Sequence, residues 1–173
     1  PSLYYMRFKN RNFIMIRRAY NMFTKAEEIY SKFNEENIQV MIPKKLLFTL
    51  LQQVDRLLEL LSNEEVASNF AIYDYISNAE MLMVKLYILS AEPYNQKEVI
   101  LETSIAEFLV IRDLVFCNYT LPHLRGKMRP SICKAYKDFY DEIEDIFGML
   151  DSNEVNTYWN YLKNYKFEGG MLQ

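Results

Sequence analysis

The one histidine, His123, stands directly after Pro122, and no serine or cysteine lies beside it in a nucleophile motif. A helical ribonuclease centre would want an arginine a few residues ahead of it. The nearest, Arg112, is eleven residues upstream, so His123 reads as an exposed loop histidine. Asp138, Asp141, Glu142, Glu144 and Asp145 have the i, i+3 and i, i+4 spacings that gather carboxylates on one helix face, as a cation site would need. Di-metal bundles add a Glu-x-x-His motif from a facing helix; with none present, the acidic group is expected to be a solvated face. Cys117 and Cys133 lack CxxC or Cys/His ligand spacing and are expected to be buried free thiols, which points to a reducing, cytoplasmic setting. P-loop, dinucleotide, GxSxG and HExxH motifs are absent from the sequence. No catalytic residue, metal ligand, cofactor or small-molecule substrate is assigned, and the chain is expected to bind rather than catalyse.

The chemistry left is that of charge and aromatic surface. Residues 1–25 hold Arg7, Lys9, Arg11, Arg17, Arg18 and Lys25 with no acid, a charge of +6. The rest of the chain carries 14 basic and 23 acidic side chains, or −9, so the net charge of −3 conceals a strong asymmetry. A second acid-free stretch runs through Arg125, Lys127, Arg129, Lys134 and Lys137. Cations neutralise phosphates and exposed aromatics stack on bases, so Tyr4, Tyr5, Phe8 and Phe13 among the first cations suit RNA or single-stranded DNA. The competing account is intramolecular: the +6 segment packs on the protein's own acidic helices. Nucleic-acid candidates are therefore Arg7, Lys9, Arg11, Arg17, Arg18, Arg125, Lys127 and Arg129. Met81, Met83, Tyr87 and Trp159 are candidates for a protein interface, because adaptable thioethers and aromatics are enriched at such surfaces. Asn118-Tyr119-Thr120 matches the glycosylation sequon, a pattern that arises often by chance.

The elements that must position these residues read as helices. The 173 residues are 50% hydrophobic and hold only 4 Gly and 5 Pro, too few for the many tight turns of an all-β domain. Apolar spacing predicts a first helix over Asn12–Asn37 and a second from Pro43 to Leu61, the latter on Leu46, Leu47, Leu50, Leu51, Val54, Leu57, Leu58 and Leu61. Ser62 and Glu65 have capping-box spacing ahead of a third helix over Val66–Ala91, apolar on much of its circumference. A fourth is expected over Gln96–Asn118, then a connection from Tyr119 to Pro130 holding Pro122, Gly126 and Pro130. A fifth helix follows over Ser131–Leu150, and a sixth, capped by Asp151 with Glu154, runs to about Asn164. The expectation is one all-α domain: an up-and-down four-helix bundle over about 12–118 with a two-helix C-terminal extension over about 131–164. No uncharged apolar run is long enough to span a membrane, so no membrane contact is expected. The chain starts at Pro1, which leaves room for a processed upstream segment.

Ile42-Pro43-Lys44-Lys45, Phe48-Thr49-Leu50, Gln52 and Leu57-Leu58-Glu59-Leu60-Leu61 resemble the first loop and second helix of the accessory variability determinant proteins of diversity-generating retroelements. These proteins are themselves similar to the helical bundles encoded by ribosomal RNA intervening sequences. Tyr75-Ile76-Ser77 with Ala79, Leu82, Lys85 and Leu89 extends the similarity, as do Tyr94, Ile105-Ala106-Glu107 and Ile111-Arg112, within residues 24–116. The resemblance implies an oligomeric four-helix bundle that binds a reverse transcriptase and nucleic acid and has no catalytic residues to transfer. Tyr5-Met6-Arg7-Phe8 with Arg17-Arg18, and Tyr158-Trp159-Asn160-Tyr161-Leu162-Lys163, resemble C-terminal pieces of retroelement reverse transcriptases. The expected role is that of an accessory protein with a protein partner or self-association, and with nucleic acid as a further ligand. The alternative is a purely protein-binding subunit.

Overall fold

Two seven-residue segments whose side chains alternate between the core and solvent pair antiparallel: β1, Asn37–Pro43, and β2, Glu98–Ser104. Asn37 stands opposite Ser104 and Pro43 opposite Glu98. The period of two turns Val40, Ile42, Val99, Leu101 and Thr103 into the core, and Met41 and Ile100, a cross-strand pair, outward. The computed structural model describes residues 25–62, 70–91 and 95–164. Around the ribbon lie α1 (residues 25–35), a 3-10 turn at Lys44–Leu46, α2 (Leu47–Leu61), α3 (Phe70–Ala91), α4 (Ile105–Thr120), α5 (Pro122–Arg125), α6 (Pro130–Met149) and α7 (Ser152–Asn164).

The protein is thus mostly helical, as expected, with a small two-stranded sheet that the sequence reading did not include. The helix expected over Gln96–Asn118 is a strand followed by a helix, and the switch has a local cause. Ser104 accepts a hydrogen bond from the Glu107 amide (3.1 Å), and the Glu107 carboxylate reaches back to the Ser104 amide (3.4 Å), a reciprocal capping box. Glu107 is buried and paired with Lys85 of α3 at 2.8 Å, so the cap also ties α4 to its neighbour. Ser62, expected to open the third helix, instead closes α2: its hydroxyl donates to the Glu59 carbonyl at 2.7 Å. Glu65 lies outside the described residues, as do residues 12–24 of the expected first helix. Asp151 behaves as expected, accepting from the amides of Asn153 (2.8 Å) and Glu154 (3.4 Å) at the start of α7.

The larger apolar cluster joins the ribbon to α2, α3, α4 and α6 through Leu50, Leu82, Phe108, Ile111, Tyr136 and Phe139. A smaller one joins α1, the start of α4 and α7 through Phe33, Leu109, Val155, Tyr158 and Leu162. The helices expected as an extension, α6 and α7, therefore each bury a face in these clusters. Where α1, α3 and α7 meet, Asp74 is 8% exposed and its carboxylate accepts from Tyr30 (2.9 Å), Tyr158 (3.0 Å) and Asn78 (3.2 Å). Burial and the adjacent Asp74 carboxylate push the Tyr158 hydroxyl well above its ordinary pKa, so it stays a donor.

Replacing Asp74 by Ala removes the acceptor that Tyr30 and Tyr158 share and is expected to cost about 3 kcal/mol, roughly 10 °C in Tm, by thermal unfolding. Ser104→Ala is expected to cost about 1 kcal/mol through the lost cap. An Asp74→Ala variant as stable as the parent would contradict this account of the junction.

Candidate nucleic-acid interface

Lys45 of the 3-10 turn and, on the face of α2 opposite its core stripe, Phe48, Thr49, Gln52, Gln53 and Arg56 are spaced along successive turns. Leu46, Leu50 and Val54 on the other side are buried, which fixes the helix's rotation and turns the first set to solvent. Facing it, the chain leaves α4, makes the short α5 and enters α6. The Gly126 amide donates to the Pro122 carbonyl at 2.9 Å, and a Cβ on Gly126 would stand 3.2 Å from that oxygen, so the turn is tight enough to favour glycine. Lys127, Met128 and Arg129 are thereby brought opposite α2, and a groove of about 420 Å³ opens between the two segments.

Lys45, Arg56, Lys127 and Arg129 line this groove, all exposed, and among the described residues no carboxylate lines it. None of the four has an ion-pair partner among the described residues, whereas Lys32, Lys85 and Arg112 are paired with Glu154, Glu107 and Glu144. Phe48 stands at the same groove 70% exposed. Beneath it, the Tyr136 hydroxyl of α6 donates to the Gln53 side-chain carbonyl at 2.7 Å, joining the two walls and leaving the Gln53 amide nitrogen for the groove. Burial raises the Tyr136 pKa far above the ordinary tyrosine value, which keeps that donor protonated.

Gln53, Arg56, Asn118 and Leu124 line the groove and also a second, neighbouring recess of about 380 Å³. Leu57, Leu60 and Leu114 supply its apolar lining, and Tyr75, Asp113 and His123 its polar groups. Asp113 is loosely partnered: the Tyr75 hydroxyl is 3.5 Å from one oxygen and the Arg112 guanidinium 3.7 Å from the other. Desolvation raises the Asp113 pKa above its ordinary value, with Arg112 opposing the shift. Arg112 is engaged elsewhere, lying between the rings of Phe147 (4.2 Å) and Phe116 (4.6 Å) with Glu144 at 3.0 Å.

Of the residues expected from sequence to meet nucleic acid, Lys127 and Arg129 line the groove. Arg125 is exposed but does not; its guanidinium lies 5.6 Å from the centre of the Tyr119 ring. Arg7, Lys9, Arg11, Arg17 and Arg18 lie outside the described residues. Among the protein-interface candidates, Met81 (50%) and Tyr87 (63%) are exposed beside Val84 and Ile88 on one face of α3. Met83 is half-buried against the core, and Trp159 packs edge-on to Tyr158 and beside Tyr75. Cys117 and Cys133 are free thiols, but Cys117 is exposed and Cys133 half-buried rather than both being buried. In the acidic group, Glu144 is taken by Arg112 and the other four carboxylates are exposed. Asn118 of the sequon donates its side-chain amide to the Leu114 carbonyl at 2.8 Å. Lys45, Phe48 and Arg56 are the groove residues that sequence reasoning passed over; they sit at helical spacing on the non-core face of a secure helix, which was the available signal.

Comparison with protein-family models, with curated proteins and with solved structures finds no match to this chain. Among the described residues, no helix is long and apolar enough to cross a membrane. Tyr136→Phe removes the bond between the groove's walls and is expected to lower stability by about 1 kcal/mol, about 3 °C in Tm. An unchanged melting curve would show that Gln53 is held by other means.

Proposed function

We propose that the chain is a non-enzymatic accessory protein that binds single-stranded nucleic acid along the groove between α2 and the α5–α6 connection. The observation that carries this reading is the convergence of Lys45, Arg56, Lys127 and Arg129, four cations without ion-pair partners among the described residues, on a groove to which none of those residues brings a carboxylate, with Phe48 exposed at its side. Unpaired cations in a recess concentrate phosphates, and an exposed ring offers a stacking platform that only an unpaired base can use. The resemblance to the retroelement accessory proteins points to the same class of ligand, with a reverse transcriptase as protein partner.

Anisotropy titrations of a labelled single-stranded oligonucleotide at several salt concentrations test this. Four phosphate contacts give a log-affinity against log-salt slope of about −3, and each Lys127→Ala or Arg129→Ala substitution reduces its magnitude by about 0.7. No binding at low salt, or a slope indifferent to these substitutions, would refute the groove.

A second reading, association with another protein chain, is favoured by the exposed face of α3. Met81, Val84, Tyr87 and Ile88 recur there at helical spacing, and Ile88 and Ile100 of β2 line a common surface hollow. A second copy of the chain is the occupant that this reading and the resemblance share. Light scattering is expected to show a dimer or larger species that Tyr87→Glu converts to monomer. A monomeric parent chain at high concentration would exclude self-association.

A further inference from the structure

The recess beyond the groove has the chemistry of a base pocket, and, resting on the groove being a nucleic-acid site, we infer that it accepts one unstacked guanine of the bound strand. Its volume of about 380 Å³ is in the range of small-molecule pockets, and its Leu57, Leu60 and Leu114 lining suits a flat aromatic ring. Specificity comes from two side chains in the same recess. Asp113 presents a carboxylate whose nearest donors, at 3.5 and 3.7 Å, are longer than good hydrogen bonds, so it lacks strong partners of its own.

Guanine alone among the four bases carries two adjacent donors, N1–H and the N2 amine, and these match both oxygens of a carboxylate. Adenine and cytosine place an acceptor nitrogen beside their single amine. Uracil flanks its one N–H with two carbonyls, which a carboxylate repels. Arg56, shared by groove and recess, supplies the complementary fork for the guanine O6 and N7 acceptors. The sharing has a geometric consequence: a strand whose phosphates follow Lys45, Lys127 and Arg129 passes the mouth of the recess. Asn118 is held against the Leu114 carbonyl at 2.8 Å, so its oxygen remains as an acceptor at that mouth.

The test uses the full chain and one oligonucleotide backbone carrying guanine, adenine, cytosine, uracil or an abasic residue at a single position. The guanine probe is expected to bind about tenfold tighter than the other four, the discrimination of one bidentate pair. Asp113→Asn abolishes that preference to within about twofold and leaves abasic affinity and the salt slope in place. Arg56→Lys also loses the preference, because an ammonium lacks the planar fork that spans the guanine O6 and N7. Either variant suffices should the other fail to fold. Equal binding of all five probes, or a guanine preference that survives both substitutions, overturns the inference while the salt-dependent groove stands. Failure of every probe to bind overturns the groove itself and the pocket with it. Guanosine monophosphate added as competitor is expected to displace the guanine probe far more weakly than the unlabelled oligonucleotide does. Equal potency would assign the recess to a free guanine nucleotide and overturn the strand assignment.

Discussion

The register between β1 and β2 is the constraint on which the rest of the structure depends. Val40 lies opposite Leu101 and Ile42 opposite Val99, so the pairing puts four apolar side chains on the core side together. A slip of one residue on either strand would send that strand's apolar set to solvent and bring residues such as Gln39 or Glu102 inward. The same register fixes where two helices begin. α2 starts beyond Pro43 at one end of the ribbon, and α4 starts after Ser104 at the other, held there by the Ser104–Glu107 box and the Lys85 pair. These two helices contribute Gln53, Arg56 and Leu57 on one side and Asp113, Leu114 and Asn118 on the other to the recess at the groove's end. The ribbon thus sets the walls of the candidate site without contributing a residue to either the groove or the recess.

Helix positions were legible in the sequence wherever a long apolar stripe had the helical period. The second helix ends at Leu61 as expected, and α6 and α7 fall within about two residues of the segments read from periodicity. The ribbon was not legible, for two physical reasons. Met41 and Ile100 are apolar yet face outward, which fills the gaps in the alternation and makes NIQVMIP and EVILETS resemble continuous apolar runs. Val99 and Ile100 also run on to Ile105 and Phe108 with no Gly or Pro between them to break a helix. The informative residues were Ser104 and Glu107, a Ser-x-x-Glu box inside the supposed helix, where such a motif marks a start. Half of the candidate site was legible too. Lys127 and Arg129 stood out as an acid-free run, while Lys45 and Arg56 are diluted on α2 by Asp55 and Glu59, which do not line the groove.

The charges divide into two populations. Lys32, Lys85 and Arg112 are neutralised within the fold by carboxylates of other elements. Lys45, Arg56, Lys127 and Arg129 have no such partner among the described residues and line a groove to which none of those residues brings a carboxylate. Mutual repulsion among like charges gathered at one groove opposes folding unless an anion or salt relieves it. Asp113 is the complementary case, a carboxylate partly withdrawn from water without a close donor. Groove and recess therefore present opposite unmet demands, anions in one and hydrogen-bond donors in the other, and a phosphate–base unit supplies both.

The most direct measurement is photocrosslinking of the full chain to a single-stranded oligonucleotide carrying photoactivatable bases, with the attached peptides located by mass spectrometry. Crosslinks are predicted on the stretch from Lys45 to Arg56, at Phe48 above all, and on the stretch from Leu124 to Ile132. Attachment confined to the exposed face of α3, or to residues 1–24, would contradict the assignment of the groove.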